Sequence, residues 1–229
     1  GSYAECPTID SKNMTIIGQG TEKTILNNNM SSNRFFHILN CNVKFYNCSF
    51  IENYLDYGNG GAIYLENGNL IVVDCDFIGN FAGDTASGGA ICLDNGDLTL
   101  VNCKFINNTA AEEAGGAVCV NNGTVSVDNC IFINNTALKH GGAIHVDNGI
   151  LSLKNSVFVN NVAGTEKEQG TGDGGAVCIY GDLTVDNCSF DSNIGLNYGG
   201  AIYQMTGKLS VTNSYFVKNR AGLFDGGAI

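Results

Sequence analysis

Positive charge is scarce in this sequence. Its 229 residues carry 11 basic against 22 acidic side chains, a formal net charge of −11. Nucleic-acid binding is not expected, because phosphate binding needs a surface rich in lysine and arginine. The two arginines, Arg34 and Arg220, lie far apart in the chain, which disfavours a guanidinium clamp on phosphate or carboxylate.

Proline, tryptophan and long apolar runs are also rare. The sequence has one proline and no tryptophan, and it contains no run of about 18 apolar residues that would span a membrane. No signal peptide is visible, and the opening Gly-Ser resembles a cloning remnant. Glycine, at 31 residues, and cysteine, at 10, are by contrast frequent.

A tandem repeat accounts for the glycines. The motif Gly-Gly-Ala-Ile/Val occurs seven times, starting at Gly60, Gly88, Gly115, Gly141, Gly174, Gly199 and Gly226. Each copy follows a Phe-x-x-Asn motif, with Cys or Ser two positions before the Phe. Such self-similarity is typical of a solenoid, in which each repeat contacts only its neighbours.

Each unit reads as three short strands separated by turns. Asn-Gly between apolar runs normally predicts a hairpin, but the tandem register favours stacking of each strand on its equivalent one coil later. We therefore predict an all-β, right-handed, single-stranded parallel β-helix with three strands and about 27 residues per coil, and about eight coils. Phe should stack on Phe, and the Asn of Phe-x-x-Asn should form an amide ladder.

The repeat also sets the expected domain organisation. Residues 1–229 should form one β-helix, with less regular N-terminal capping coils over 1–45 and regular repeats over 46–229. Because the last unit stops at Gly226–Ile229 in the middle of a repeat, we expect a piece of a longer protein.

The cysteines follow the columns of the repeat. Cys48, Cys75, Cys103, Cys130 and Cys188 share one inward position with Ser156 and Ser214, which predicts buried thiols rather than obligatory bridges. A disulfide between Cys6 and Cys41 stays open, so the oxidation state does not fix the compartment. No Cys-x-x-Cys zinc pair is present.

A second column should point outward after each glycine pair. It contains Cys92, Cys119 and His145, expected on a half-exposed surface about 4.8 Å apart. We expect no metal site, but these three would be the ligands of a soft metal if one bound. His140 and Asp147 read as variation within one coil.

No cofactor is expected either. Ca²⁺ is the one ion that acidic turn residues would suit, and solvated turns explain these residues better. The turn residues concerned are Asp94, Asp97, Asp147 and Asp182.

Loops between Phe-x-x-Asn and the glycine pair should emerge along one edge of the solenoid. One of them, Val162–Asp173, is roughly twice as long as the others. Aromatic and charged residues on these loops suit contacts with protein or sugar. The predicted binding residues are Tyr54, Tyr57, Phe81, Glu166, Lys167, Glu168, Asp173, Tyr198 and Phe224.

These motifs resemble those of known surface proteins. Gly141–Ile144 with Phe132–Asn135 resembles the repeats of chlamydial polymorphic membrane proteins, and residues 132–161 look like adhesin-like surface proteins of methanogenic archaea. The resemblance covers about residues 35–229. It implies a pectin-lyase-like solenoid that is secreted or held at the cell surface and functions in adhesion to a host or partner cell.

The sequence is consistent with three functions. The first is a non-enzymatic adhesin that presents loops to a protein or glycan, as a monomer anchored only through regions outside this sequence. The second is a polysaccharide lyase, hydrolase or esterase, because such enzymes share the fold and "GQGTEKTIL" is similar to the opening of pectinesterase-like helices. No outward column of Asp supports that chemistry. The third is a passive spacer.

Overall fold

The computed structural model describes residues 7–27, 32–165, 171–224 and 226–229. Through these residues the chain winds in coils, and each strand pairs in parallel with its equivalent in the next coil. The strands form three sheets, here called A, B and C, and sheet B contributes one strand from each of eight coils. The predicted all-β parallel solenoid is thereby confirmed.

Sheet A contains the first two predicted strands of each unit. In three successive coils the two strands merge into a single long one, because the Asn-Gly or Tyr-Gly between them continues the strand instead of reversing it. The strands of sheet A are Thr8–Asp10, Met14–Ile17, Phe36–Leu39, Val43–Tyr46, Ile63–Asn67, Leu70–Val73, Ile91–Asn95, Leu98–Val101, Val118–Asp128, Ile144–Lys154, Val177–Asp186, Ile202–Thr206 and Leu209–Thr212.

Sheets B and C complete each coil. Sheet B carries the Phe column, and sheet C consists of very short strands that follow Phe-x-x-Asn, in a segment that the sequence assigned to loops. The strands of sheet B are Ile25–Asn27, Ser49–Ile51, Asp76–Ile78, Lys104–Ile106, Ile131–Ile133, Val157–Val159, Ser189–Asp191 and Tyr215–Val217. Those of sheet C are Tyr54–Tyr57, Phe81–Asp84, Thr109–Ala110, Thr136–Ala137, Val162–Ala163, Ile194–Gly195 and Arg220–Ala221.

Left-handed backbone conformations turn the chain at each corner. The corner between sheets A and B uses Asn or Asp, for example Asn102 at φ 53° and Asn155 at φ 50°. These residue types tolerate that conformation better than most. The corner between sheets B and C uses the residue before the Asn of Phe-x-x-Asn, such as Asn134 at φ 55°.

Stacked columns fill the interior. Seven phenylalanines, from Phe50 to Phe216, lie ring on ring with centroids 4.6–4.8 Å apart and planes within 6°. Beside them runs the predicted amide ladder, in which Nδ2 of Asn108 donates to Oδ1 of Asn135 at 3.0 Å and the pattern repeats coil by coil. Both predicted columns are therefore present. Because they stack in register, they keep the strands of sheet C at a constant spacing from one coil to the next.

The N-terminal coil stacks on the second one. Thr8–Asp10 pairs with the strand Phe36–Leu39, Met14–Ile17 with Val43–Tyr46, and Ile25–Asn27 with Ser49–Ile51. No helix within the described ranges is long and apolar enough to cross a bilayer.

Candidate functional site

The segments that link sheet C to sheet A form one continuous edge, here called the loop edge. It comprises residues 58–62, 85–90, 111–117, 138–143, 164–176 and 196–201, apart from 166–170. The first glycine of every pair has φ between 58° and 87°. The second packs so closely that a Cβ on Gly116 would lie 2.1 Å from the carbonyl oxygen of Gly142. The glycine pairs therefore align, and they hold all the loops in one row.

An aromatic pair lies at the start of the loop edge. The rings of Tyr54 and Phe81 stack with centroids 4.6 Å apart and planes within 3°, because both residues face outward at the same position of sheet C. Tyr57, at the end of its strand, is 72% exposed. Three of the predicted binding residues are thus brought together on adjacent coils.

A second aromatic group lies about four coils further along, roughly 19 Å away at the strand spacing of a sheet. Tyr198 stacks on Phe224 at 4.8 Å and faces Tyr203 at 5.7 Å. Phe224 is 54% exposed. The predicted aromatic residues therefore form two separate groups on one edge rather than a single site.

The longest loop has a narrow neck. Gly164 and Gly172 pack so closely that a Cβ on Gly164 would lie 2.9 Å from Cα of Gly172. Glu166, Lys167 and Glu168, predicted to carry its binding charges, lie outside the described residues. Asp173, predicted to be presented to a partner, is instead only 7% exposed. Its carboxylate accepts hydrogen bonds from Asn197 Nδ2 at 2.7 Å and from the Tyr198 backbone N–H at 3.2 Å.

His140 completes a cluster around Asp173. Its Nδ1 lies 3.2 Å from Oδ2 of Asp173, and the two residues form a parallel bridge between neighbouring loops. Burial alone would raise the pKa of Asp173, but the imidazole of His140 and the amide of Asn197 outweigh it and hold the pKa below the usual range. His140 and Asp173 each directly precede a glycine pair, and this equivalence in the repeat was the signal that could have predicted their contact.

The column of Cys92, Cys119 and His145 is buried, which corrects the expected half-exposed surface. The three residues face away from the central core, as period-two alternation predicted, yet even His145, the most accessible of them, is only 7% exposed. The segments of the loop edge fold back over this part of sheet A. A Cβ on Gly88 would lie 2.9 Å from Cβ of Cys92, and the ring of His140 lies 5.9 Å from that of His145.

Burial determines the chemistry of this column. Contact with Cys119 and burial raise the pKa of the Cys92 thiol. Burial, with a smaller contribution from His140, lowers the pKa of His145 to about 3. Among the described residues no three His, Cys, Asp or Glu side chains are placed to hold a metal ion. Burial thus favours the neutral forms of Cys92 and His145.

Acidic turn residues are engaged in hydrogen bonds between coils. Asp94 accepts from the hydroxyl of Tyr64 at 2.5 Å and from Asn121 at 2.9 Å. Asp97 and Asp182 each accept a backbone N–H from the following coil, at 2.9 and 2.8 Å. Asp147 is exposed. The carboxylates of Asp94, Asp97 and Asp182 thus link neighbouring coils rather than forming one converging set of oxygen ligands.

The inward cysteines are buried thiols, as predicted. Cys48, Cys75, Cys103, Cys130 and Cys188 are at most 2% exposed and unbridged. Each Sγ lies 3.2–3.3 Å from a backbone oxygen two positions earlier in the chain, as for Cys130 and Asp128. Cys41 is also a buried free thiol, and Cys6, its suggested partner, lies outside the described residues.

Comparison with known proteins agrees with this geometry. The family described as right handed beta helix region matches residues 8–163, and the repeat of the Chlamydia polymorphic membrane proteins matches residues 187–204. The second match covers one Phe-x-x-Asn motif and the glycine pair that follows it. Neither the curated proteins nor the solved structures include a significant match. The chain belongs to the right-handed β-helix family, and its segment 187–204 is similar to the repeat of the chlamydial polymorphic membrane proteins.

Proposed function

We propose that this chain is a non-enzymatic binding rod at a cell surface, an adhesin that presents its loop edge to a protein or glycan of a host or partner cell. The observation that carries the proposal is the row of loops. Every described connection from sheet C to sheet A emerges on the same side of a stiff stack, and outward aromatic rings cluster there.

The chemistry of the loop edge supports recognition of a neutral or cationic partner. Asp84 contacts Glu112, and that hydrogen bond raises the pKa of the Glu112 carboxyl. Lys139 is paired with Glu113, Nζ to Oε1, at 2.5 Å. Exposed aromatic rings beside such carboxylates suit sugar rings and peptide side chains, which pack on aromatic faces. A polyanion such as nucleic acid is disfavoured by the same charges.

The repeat type supports the cellular location. Residues 187–204 match the repeat of a family of membrane proteins from Chlamydia. A rod with stacked coils also suits display, because its stiffness keeps loops at fixed separations. Surface exposure, and attachment through segments outside this sequence, are parts of the proposal.

Binding to a glycan array and to cultured cells tests the proposal. One variant removes residues 165–170, which keeps the glycine neck and shortens the longest loop to the length of its neighbours. A second replaces the first aromatic pair by Tyr54→Thr and Phe81→Thr, the residue that this column carries at Thr109 and Thr136. The control is Ile71→Thr, which copies Thr99 of the next coil on a face away from the loop edge.

We expect the unmodified chain to bind, one or both loop-edge variants to lose at least tenfold in affinity, and Ile71→Thr to bind normally. No binding by the unmodified chain would favour the passive spacer. Turnover of pectins, alginates or glycosaminoglycans by the unmodified chain would instead overturn the non-enzymatic part of the proposal.

A further inference from the structure

His145 occupies an unusual place for a histidine. It is 7% exposed, it lies outside the central core, and its Nδ1 has no hydrogen-bond partner among the described residues. A buried polar atom without a partner is destabilising, and a buried charge without a partner is far more so. The site therefore tolerates the neutral imidazole and strongly disfavours the protonated one.

In the described part of the chain, titratable groups surround His145 on its own strand, on the neighbouring strands and on the loop side. Cys119 and Cys178 flank it on the neighbouring strands of sheet A, and the Tyr180 ring meets it edge-on at 6.1 Å. Asp147 follows it on its own strand, exposed to solvent. On the loop side lie the ring of His140 and, behind that ring, the carboxylate of Asp173.

Only one of these groups offers a nearby counter-charge, and it is already engaged. The Asp173 carboxylate faces His140, with Oδ2 3.2 Å from Nδ1, so the nearest anion in the cluster is turned toward His140 and not toward His145. A proton on His145 would therefore be a buried charge without a counter-ion in contact with it. Histidine is the side chain that ordinarily changes charge between about pH 5 and pH 8.

The residues that cover His145, namely His140 and Asp173, also hold the base of the longest loop. The backbone N–H of Gly141 donates to the Asp173 carbonyl at 2.9 Å, and that of Asp173 donates to the Lys139 carbonyl at 3.1 Å. Asp173 follows directly on the neck glycine Gly172. Exposing His145 to solvent therefore requires His140 and Asp173 to separate from sheet A together.

We propose that His140, His145 and Asp173 form an acid-sensitive clasp: at neutral pH it holds the base of the 162–173 loop against sheet A, and protonation of His145 releases it. The consequence for binding rests on the proposed function, since the loop belongs to the edge assigned there to a partner. The test below uses no ligand, so its failure leaves that function untouched.

The direction follows from the protonation of the two states. The pKa of His145 is about 3 with the clasp closed and returns toward its ordinary 6.5 when the ring is exposed. The open state thus binds the proton more tightly and is favoured as the pH falls from 6.5 toward 3. With these values, the open-to-closed ratio rises about 25-fold from pH 7 to pH 5 and about 200-fold from pH 7 to pH 4.

Hydrogen exchange of the intact chain, corrected for the intrinsic effect of pH, measures this opening. The reporters are the amides of Gly141 and Asp173. The reference is the amide of Gly88, which donates to the Ala114 carbonyl at the equivalent place two coils earlier, beside Cys92 instead of a histidine. Protection of the reporters should fall at least tenfold between pH 7 and pH 5, while that of Gly88 stays constant.

Three variants separate this mechanism from general acid weakening. His145→Cys installs the residue of Cys119 and Cys178 and should abolish the fall in protection. His37→Tyr removes a histidine of the same column, one that faces Glu66 at 2.8 Å. This variant should show the same fall in protection as the unmodified chain. Asp173→Asn keeps an acceptor for Asn197 but removes the counter-charge of His140, so the fall should begin at higher pH.

The proposal is overturned if protection at Gly141 and Asp173 still falls in folded His145→Cys, or if the unmodified chain shows no fall relative to Gly88. If His145→Cys does not fold, the Asp173→Asn variant decides. An onset at unchanged or lower pH in that variant contradicts the clasp, and an onset at higher pH supports it.

Discussion

The asparagine of Phe-x-x-Asn satisfies several buried groups at once. Oδ1 of Asn135 accepts the side-chain N–H and the backbone N–H of Asn108, both at 3.0 Å, and its Nδ2 donates to Phe105 and Asn161. No other side chain of this size supplies both a planar acceptor and two donors. The presence of asparagine at this position in all seven units thus has a hydrogen-bonding cause.

Replacing Asn135 by alanine should be strongly destabilising. The substitution leaves the buried backbone N–H of Asn108 and one of its two side-chain N–H groups without an acceptor, while the other side-chain N–H still donates to the Phe77 carbonyl. Each orphaned group costs about 1–3 kcal/mol. We expect the free energy of unfolding, measured by chemical denaturation, to fall by about 3 kcal/mol or more. Asn122→Ala, which removes an exposed rung of another ladder at 3.4 Å, should lower it by less than about 1 kcal/mol. Equal losses in the two variants would show that burial of the ladder is not what matters.

The face of the sheet toward which each strand side chain points was predictable from the sequence, but the burial of side chains outside the core was not. Alternation places Cys92, Cys119 and His145 on the side of sheet A away from the core, and the structure agrees. Whether that side meets solvent depends on the fold of the preceding loop, which has no periodicity to read. The same reason explains Asp173, which occupies a loop position in sequence but is enclosed by Asn197 and His140.

At the scale of the element, the two glycines of each pair serve different purposes. The first adopts a left-handed conformation, for example φ 68° at Gly115, which a side chain disfavours. The second has no such angle, but its α-carbon faces the backbone of the next coil. The first position therefore needs glycine for its conformation and also for space, since a Cβ on Gly115 would lie 2.2 Å from the Val118 carbonyl oxygen, whereas the second needs glycine for space alone.

Two substitutions distinguish conformation from space. Gly116→Ala places a Cβ 2.1 Å from the Gly142 carbonyl oxygen, a backbone atom that cannot turn away. We expect a loss of about 2–3 kcal/mol, typical of overpacking. Gly79→Asn puts into a left-handed corner (φ 65°) the residue found at Asn107, Asn134 and Asn160, with the nearest atom at 3.7 Å.

Thermal and chemical denaturation should place Gly79→Asn within about 0.5 kcal/mol of the unmodified chain, because asparagine tolerates this conformation. A stable Gly116→Ala protein would mean that neighbouring coils can separate at the loop edge. In that case the glycine pairs would not fix the spacing of the loops, and the display of the loop edge would lose its structural basis.

The elements themselves were partly predictable. Strands of sheets A and B carry apolar residues at every second position, such as Leu98 and Leu100, and this pattern identified them. Sheet C was missed because strands such as Thr109–Ala110 are too short for a period to show. Their pairing is imposed by the coils on either side rather than by their own sequence.

At the scale of the whole molecule, every coil depends only on its two neighbours. In the described residues, strand pairs join equivalents one coil apart, such as Lys104–Ile106 with Ile131–Ile133. Long-range contacts along the rod are unnecessary for this arrangement. The molecule should therefore tolerate the loss of one complete coil far better than the loss of a partial one.

Deleting Gly115–His140 removes one complete coil and joins Ala114 to Gly141. Ala114 then takes the place of its equivalent His140, Phe105 stacks on Phe158, and Ile91 pairs with Ile144. We expect a β-rich protein with a single cooperative denaturation transition and an m-value lower by about one eighth, since m scales with the surface exposed on unfolding.

A deletion of half a coil, 115–127, is the matched control. This deletion shifts the register between neighbouring coils by half a coil, so polar corner residues lie opposite the inward Phe and Leu columns. A solenoid that is out of register loses every column of stacked side chains at once. This protein should aggregate or unfold below room temperature. If both deletions left equally stable proteins, or if only the half-coil deletion folded, the columns would not determine the register, and neither the straight loop edge nor its fixed spacing would follow from the repeat.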